Sequence, residues 1–404
     1  MYIKRAAESL LKKAEKQTRV VLLTGPRQVG KSTMMRKTFP DYTYITFDDE
    51  NELALAESDG QLFFRDRVFP LIIDEVQYSK NIFRTIKLIT DKQEKKGQIF
   101  LTGSQTYDLL EIASRYLVGR MTILEMSSLS MREKASVDFY EVFIPDTSYI
   151  KLREKKIKKY NDIWQHIHRG CMPELVDQSR DWEWFYRDYV RTYIERDIRR
   201  IINIKDELKF RAFLTSVAAR SGQILVYDNI AGDIGADIKT VKNWLSIVEA
   251  SGIIKIIQSY KSNIIKRLTK APRLYFTDTG LLCYLAGWLT PESAKNGAMS
   301  GHIFETFVVS EIIKSYLNAG KTTDKLYFYR DKDKREIDLL IESGNTLYPV
   351  EIKKSAKVDK SMIRNFSVLN KITDKEIGEG AVICLADNVV NISENVRALP
   401  IEYI

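Results

Sequence analysis

The chain has 404 residues, of which 44% are hydrophobic and 29% are charged, a balance that excludes a wholly disordered protein and provides for two or three domains. Its apolar runs are too short to cross a bilayer, its N-terminus carries charge at once, and its three cysteines are too few for a disulfide framework, so we expect a cytoplasmic protein with no membrane partner. The net charge of +9 is compatible with a nucleic-acid partner but does not require one.

The first third of the chain alternates helical and β-type segments, which is typical of a parallel sheet in an α/β domain. An amphipathic helix is predicted over residues 6–16. Each of the strands that follow is separated from the next by enough chain for a helical crossover. These strands are predicted at 19–24, 42–47, 71–73 and 98–102.

The first predicted strand leads into a phosphate-binding motif. Residues 25–32 fit the pattern G-x-x-x-x-G-K-[ST], and a helix is predicted directly after them at 33–37. Backbone N–H groups of such a loop surround the phosphates, and the helix N-terminus adds a partial positive charge. Lys31 is expected to reach the terminal phosphates of ATP, and the Ser32 hydroxyl to bind Mg²⁺. The predicted nucleotide-binding residues are therefore Gly25, Pro26, Arg27, Gln28, Val29, Gly30, Lys31, Ser32 and Thr33.

Polar residues also follow the predicted strands at 71–73 and 98–102. Asp74 is expected to hold Mg²⁺ through water and Glu75 to polarise the attacking water. Neighbouring parallel strands place their C-terminal ends at one edge of a sheet, which would bring this acidic pair to the phosphate loop. Ser104, rather than Gln105, is predicted to sense the γ-phosphate; its alternative role is a helix N-cap.

The character of the sequence changes between about residues 150 and 215. The basic run at 151–159 is interpreted as a solvated helix face or loop, with a DNA contact as the alternative. The aromatic residues at 181–203 follow one helix face, which favours a place in the core over a base-stacking platform.

Residues 224–257 have the outline of a winged helix. The pattern predicts a helix, a turn at 235–237, a second helix at 239–250 that Gly252 ends, and a strand at 253–257. If this part reads DNA, the start of its second helix would face it; a lid or a protein-contact module is the alternative. The DNA-facing residues would be Lys239, Thr240, Lys242 and Asn243.

An α/β pattern returns from about residue 295. The sequence predicts a helix, a strand, a hairpin and a further buried strand, at 302–316, 325–330, 337–341 with 347–352, and 381–385.

Three residues of the hairpin have the spacing D-x(12)-E-x-K, which resembles the PD-(D/E)XK nuclease signature although no proline precedes Asp338. On paired strands, Asp338 and Glu351 would converge on one divalent ion, and Lys353 would orient or deprotonate a metal-activated water. Glu305 on the preceding helix would complete the oxygen shell. Asp338, Glu351 and Lys353 are thus predicted to be catalytic, and Glu305, Asp338 and Glu351 to be metal ligands; a degenerate copy of the fold would only bind.

Several of these motifs together resemble the AAA-type ATPases of bacteria and archaea that carry a C-terminal domain of unknown function. The resemblance covers nearly the whole chain and rests on residues 25–32, 73–77, 101–104 with 117–120, 169–170, 173–174, 193–197, 275–281 and the C-terminal acids. It implies a P-loop ATPase domain (1–135), a helical linker or lid (136–215), a winged-helix-like domain (216–292) and a restriction-endonuclease-like α/β domain (293–404).

The same resemblance gives Arg120 a role. AAA-type enzymes often supply an arginine finger in trans, and Arg120 stands where the family motif has an arginine. Such a finger would contact nucleotide bound to another copy and would require a homo-oligomer. The alternative is an ion pair with a nearby carboxylate such as Glu125.

The expected function is ATP binding and hydrolysis with Mg²⁺, coupled to movement of the winged-helix and nuclease-like parts on DNA. A metal-dependent DNA endonuclease switched by ATP and a nucleotide-gated protein-binding module are the alternatives. No zinc site is expected, because the three histidines are isolated from cysteines, and the pair His166 and His168 would point in different directions on a helix.

Overall fold

A computed structural model of the protein describes residues 2–92, 94–104, 107–192, 207–261 and 271–404. The chain forms two compact units. The first comprises Met1–Leu129, Ala250–Gly252 and Leu317–Gly320, and the second comprises Ser130–Glu249, Ile253–Tyr316 and Lys321–Ile404. No helix in the described part of the chain is long and apolar enough to cross a membrane.

The first unit is built on a five-stranded parallel sheet. Its strands are β1 (Val20–Gly25), β2 (Thr43–Thr46), β3 (Leu71–Asp74), β4 (Ile99–Ser104) and β5 (Met121–Glu125). Its helices are α1 (Ala7–Glu15), α2 (Lys31–Thr38), α3 (Glu50–Ser58), α4 (Gly60–Arg65), α5 (Ile82–Lys92) and α6 (Tyr107–Leu117), with a 3₁₀ turn at Val76–Tyr78. The helical crossovers expected from the sequence are confirmed.

The order of these strands corrects one expectation. The order is β2-β3-β4-β1-β5, so β4 lies between β1 and β3, and the strands that carry the phosphate loop and the acidic pair are not neighbours. All the pairings are parallel, and Gly25 is level with Ser104 at the same edge as the end of β3. Because β1, β3 and β4 are buried along their whole length, their sequences are continuous apolar runs rather than alternating ones.

The first half of the second unit is mainly helical. Its helices are α7 (Met131–Lys134), α8 (Thr147–Glu154), α9 (Ile163–Arg169), α10 (Trp182–Tyr189), α11 (Glu207–Ala218), α12 (Tyr227–Ile234), α13 (Ile238–Ala250), α14 (Thr279–Leu285) and α15 (Pro291–Asn296), with a 3₁₀ turn at Pro173–Val176. Strands β6 (Gln223–Ile224), β7 (Ile254–Ile257) and β8 (Arg273–Phe276) form an antiparallel sheet in the order β6-β8-β7. Helix α12 is followed by Gly235, whose φ of 58° is left-handed, and α13 begins at Ile238, so the predicted helix, turn and second helix are present.

Two interpretations of this region are resolved in part. The aromatic residues of α10 include Phe185, Tyr186 and Tyr189, which are buried as predicted, and Trp184, which is 60% exposed; residues 193–203 of that stretch lie outside the described residues. In the basic run, Arg153 is buried and donates a 2.8 Å hydrogen bond to the carbonyl of Glu402, so the run is not solvated throughout.

The second half of this unit carries a mixed seven-stranded sheet. Its helix is α16 (Ser300–Asn318), and its strands are β9 (Leu326–Arg330), β10 (Glu336–Ser343), β11 (Thr346–Ile352), β12 (Glu376–Ile377), β13 (Gly380–Cys384), β14 (Val390–Ser393) and β15 (Val396–Pro400), with 3₁₀ segments at Lys360–Lys371 and Ile401–Tyr403. The order is β14-β15-β13-β11-β10-β9, with β12 beside β11. The predicted hairpin is confirmed, because β10 and β11 pair antiparallel.

Candidate functional site: a phosphate loop and an acidic strand end

The loop after β1 has the local geometry of a phosphate-binding turn. Gln28 and Gly30 have φ angles of 60° and 92°, which turn the backbone into α2, and Val29 is buried beneath the loop. Gly25 admits no side chain, since a Cβ there would lie 2.0 Å from the carbonyl oxygen of Met126. The predicted residues Gly25 to Thr33 therefore lie together at the C-terminal edge of the sheet.

The Lys31 side chain is buried inside this loop. Its Nζ donates hydrogen bonds of 3.0 and 2.8 Å to the carbonyls of Gly25 and Pro26. Burial lowers the pKa of Lys31 to about 8, while the nearby charges of Glu75 and Asp74 act in the opposite direction. The fold thus places the Lys31 ammonium where a phosphate would bind, although burial disfavours its charged form.

Asp74 lies beside the loop and accepts hydrogen bonds from three hydroxyls. Ser32 donates to its Oδ1 at 3.0 Å, Tyr44 donates to its Oδ2 at 2.5 Å, and Thr102 also donates to Oδ1. In P-loop proteins, Mg²⁺ is bound by oxygen ligands from the nucleotide phosphates, water and the protein. The protein's ligands are a serine hydroxyl and a nearby strand-end carboxylate. The donor set fits Mg²⁺, with Ser32 and Asp74 as the residues that would hold it.

Glu75 follows Asp74 in a left-handed conformation, with φ of 56°. Gln77 donates a hydrogen bond to Glu75 Oε2. Burial raises the pKa of Glu75 above its ordinary value, and the hydrogen bond from Gln77 acts against that shift. A partly desolvated carboxylate of raised basicity suits a group that takes a proton from water.

Gln77 also links the acidic pair to the end of β4. Its Oε1 accepts a 3.3 Å hydrogen bond from the backbone N–H of Ser104. The Ser104 Oγ is buried and makes no hydrogen bond to any described residue, which suits a hydroxyl that meets a ligand. The neighbouring Gln105 lies outside the described residues, and the phosphate-sensing role of Ser104 stays a prediction.

Two of the predicted loop residues have surroundings of their own. Thr33 is exposed on the first turn of α2, and the Arg27 guanidinium donates a 3.1 Å hydrogen bond to the Tyr78 hydroxyl. The Arg27 charge also acts on Lys31 and Glu75, so Arg27 stays close to the phosphate loop.

Arg120 lies at the opposite edge of the sheet. Its carbonyl accepts from the N–H of Val20, the first residue of β1, whereas the phosphate loop follows the last. Its Nε donates to Asp91 at 2.5 Å, so its ion-pair partner is Asp91 and not Glu125. Arg120 therefore cannot contact nucleotide in the loop of its own chain, and only the in-trans role remains as a prediction.

The first unit has a parallel sheet, a glycine-rich turn into a helix, a buried lysine and a serine–aspartate pair at the strand ends. These features define a P-loop nucleotide-binding domain of the AAA type. Residues 17–135 match the family model described as an AAA domain. Two further models match the remainder: residues 160–292 match a domain of unknown function, DUF8612, and residues 300–404 match another, DUF4143.

Whole-chain relatives carry no described activity. An uncharacterized protein of Mycobacterium tuberculosis and one of Mycobacterium bovis are each 26% identical over 404 residues, which cover 99% of this chain and 84% of the relative. Among solved structures, a Walker-type ATPase of Pyrococcus abyssi has a TM-score of 0.43 at 14% identity, covering 70% of this chain and 96% of that one. AMPPCP-bound DnaA of Aquifex aeolicus has a TM-score of 0.29 at 12% identity, covering 60% and 84%. Both scores are too low to establish a shared fold.

The C-terminal acids form a second cluster, within the second unit. Asp338 lies where the register between β9 and β10 shifts, and its Oδ2 accepts from the N–H of Ile352 at 2.9 Å. The Lys353 Nζ lies 2.6 Å from Glu351 Oε1 and 3.6 Å from Asp338 Oδ2, so the three motif residues do meet. Burial raises the pKa of Glu351 to about 8, with the Asp338 charge adding to the shift.

This cluster does not fit the predicted metal site. Among the described residues, no group of three histidine, cysteine or acidic side chains is placed to hold a metal ion. The roles of Glu305, Asp338 and Glu351 as metal ligands stay a prediction. The sequence motifs did not predict the cation that lies among these acids. The guanidinium of Arg273, on β8, bonds Glu305 Oε1 at 3.0 Å and lies 3.5 Å from Asp338 Oδ1.

Some motif residues prove to be structural. Gly170 and Gly280 both pack against the Tyr186 hydroxyl, at 2.3 Å from where a Cβ would lie, and that hydroxyl donates a 2.6 Å hydrogen bond to Asp278. Asp278 caps α14 and also accepts from the N–H of Cys171 at 2.7 Å. The stretches around 170 and 280 thus form one buried junction, which accounts for their residue types without catalysis.

Proposed function

We propose that the protein is an Mg²⁺-dependent ATPase. The observation that carries the proposal is the 3.0 Å contact between Ser32 and Asp74, beside a buried Lys31 whose Nζ is held by the loop carbonyls of Gly25 and Pro26. Lys31 would bind the β- and γ-phosphates, Ser32 and Asp74 would hold the ion, and Glu75 would take the proton of the attacking water. Bound Mg²⁺ would neutralise charge that develops on the phosphates.

Two substitutions separate binding from turnover. We expect Lys31→Ala to lose ATP binding in calorimetry with Mg²⁺, and Glu75→Gln to bind ATP without hydrolysing it. Glu50→Gln, an exposed acid at the start of α3, is the matched control and should keep both activities. Equal ATP turnover by the wild type and Glu75→Gln would refute the assigned base, and no heat with the wild type would refute the proposal.

We infer further that the nucleotide cycle moves a winged-helix-like part on DNA. The support is the order of β6, α12, α13, β7 and β8, with a helix-turn-helix followed by paired strands. Lys239, Lys242 and Asn243 are exposed at the start of α13, while the adjacent Val241 and Trp244 are buried. One face of the helix is therefore open to a phosphate backbone.

The DNA proposal is tested by salt dependence. Replacing Lys239 and Lys242 by Gln should weaken binding to duplex DNA on all sequences and reduce the slope of log affinity against log salt by about 2. Replacing the exposed Lys12 and Lys13 of α1 by Gln is the control for charge alone. An unchanged slope in the first variant, or an equal loss in the control, would contradict it.

The endonuclease alternative has one observation in its favour, the convergence of Lys353 with Asp338 and Glu351. Its test is plasmid cleavage with Mg²⁺ or Mn²⁺ by the wild type beside Asp338→Ala. Cleavage that disappears in the variant would establish it, and identical traces would reject it.

A further inference from the structure

The C-terminal carboxylates already have a cation among them, and it comes from a different part of the chain. Arg273 lies on β8, in the stretch that matches one family model, whereas Glu305, Glu336 and Asp338 lie in the stretch that matches the next. Its Nη1 is 3.0 Å from Glu305 Oε1 and 3.5 Å from Asp338 Oδ1, and its Nη2 is 2.6 Å from Glu336 Oε2.

The Arg273 guanidinium is largely shielded from bulk water. The Arg273 side chain is 6% exposed, and its guanidinium carbon lies 5.1 Å above the Phe328 ring. The hydroxyl of Tyr275, two residues along β8, donates to the same Glu305 oxygen at 2.7 Å. A cation buried this deeply is stabilised by the carboxylates around it, of which Asp338 also lies near Lys353 and Glu336 near Arg330.

We propose that Arg273 is the resident counter-cation of this cluster and that it keeps a divalent metal ion out. A metal at the hairpin acids would have to compete with Arg273 for the oxygens of Glu305 and Asp338, and the repulsion between two cations so close together favours the one already built in. The Glu351 Oε2 atom is buried and makes no hydrogen bond to a described residue. It would therefore be available as a metal ligand once Arg273 is removed. These ion pairs link β8 to α16 and β10. They join the predicted nuclease-like acids to Arg273 in one ion-pair network.

This inference does not depend on ATP turnover, and its test needs no nucleotide. Mn²⁺ binding is measured by electron paramagnetic resonance on the full chain for the wild type, Arg273→Met, Arg273→Lys and the double variant Arg273→Met with Asp338→Asn. We expect Arg273→Met to gain one Mn²⁺ per chain that the double variant loses. Arg273→Lys keeps the positive charge and should gain none.

Stability gives a second readout. Without metal, Arg273→Met removes the guanidinium that the buried Glu305 carboxylate bonds and should melt several degrees below the wild type, and Mn²⁺ should restore part of that difference. Wild-type melting should not respond to Mn²⁺ beyond the response of Asp338→Asn.

The wild-type comparison decides even if Arg273→Met does not fold. Equal Mn²⁺ uptake by the wild type and Asp338→Asn supports the proposal. Uptake by the wild type that Asp338→Asn abolishes would overturn it, as would a folded Arg273→Met that binds no more Mn²⁺ than the wild type.

Discussion

The hydroxyl of Tyr44 donates a 2.5 Å hydrogen bond to Oδ2 of Asp74, the oxygen that Ser32 and Thr102 leave free. Tyr44 lies on β2, the edge strand next to β3, so the bond fixes the carboxylate from the side opposite the phosphate loop. Tyr44 acts through Asp74 and is a positioning residue.

Replacing Tyr44 by Phe should therefore impair the site without emptying it. A hydrogen bond to a charged group is worth about 1.5–3 kcal/mol, and a misplaced Asp74 would hold Mg²⁺ less well. We expect kcat/KM for Mg²⁺–ATP to fall by about tenfold, with a higher Mg²⁺ concentration needed for half-maximal turnover.

Tyr42→Phe is the control for this variant, because the Tyr42 hydroxyl donates to Glu15, away from Asp74. It should leave the Mg²⁺ dependence unchanged. A Tyr44→Phe protein with wild-type Mg²⁺ dependence would show that the bond has no positioning role.

Lys31, which is needed for ATP binding, should lower the stability of the nucleotide-free protein. Burial lowers its pKa from 10.5 to about 8, so the folded state resists the charged form, and Lys31→Met should stabilise the nucleotide-free protein at pH 7 by on the order of 3 kcal/mol. The unfolded chain binds the proton more tightly, so the wild type should recover this difference as the pH rises from 8 towards 10.5. Denaturant unfolding of both proteins at several pH values measures it; Lys37→Met, exposed on the same helix, should show no such dependence.

The raised pKa of Glu75 predicts the acid side of the pH–rate profile. Burial favours the protonated carboxyl, and a protonated carboxyl cannot accept a proton from water. The kcat for ATP should fall on acidification with a midpoint above 4.5, the ordinary value for this side chain. Initial rates at saturating Mg²⁺–ATP test this, and a midpoint at or below 4.5 would be incompatible with Glu75 as the base.

Arg120 offers a test of assembly. It is remote from its own phosphate loop, so Arg120→Ala should reduce turnover and leave ATP binding intact only if a neighbouring copy uses the side chain. Turnover of the wild type should then rise more than linearly with protein concentration. Arg115→Ala, on the exposed face of α6 with its Glu111 partner, should be neutral. Normal turnover by Arg120→Ala would leave it a surface ion pair with Asp91.

Two helical glycines should respond in opposite directions to alanine. At Gly280 a Cβ would lie 2.3 Å from the Tyr186 hydroxyl and 2.8 Å from the Arg169 carbonyl, so Gly280→Ala should destabilise the second unit by about 3 kcal/mol. At Gly232 on α12 a Cβ would meet nothing within 4 Å, and Gly232→Ala should stabilise by about 0.5–1 kcal/mol. Thermal denaturation compares the two; equal effects would mean that the junction around Tyr186 relaxes.

Local signals were sufficient for much of the nucleotide site. The phosphate loop, its strand and its helix are contiguous, and the predicted strand 71–73 differs from β3 only by Asp74. The insertion of β4 between β1 and β3 was not predictable from these residues, because strand order depends on how crossovers pack and leaves no trace in a strand's own sequence. Tyr44 and Thr102 were missed for the same reason, since each reaches Asp74 from another strand.

The sequence by itself determined which residues can carry charge chemistry: a lysine in a glycine turn, acids at apolar strand ends, and an acid–acid–lysine hairpin, because turn geometry and strand alternation are local properties. Tertiary structure alone decided what neutralises those charges. Arg273 precedes Asp338 by 65 residues and lies just outside the motif at 275–281, yet folding buries it against the hairpin acids. Burial makes each unpaired charge costly, and the partner that relieves this cost is found in space, at whatever distance along the chain.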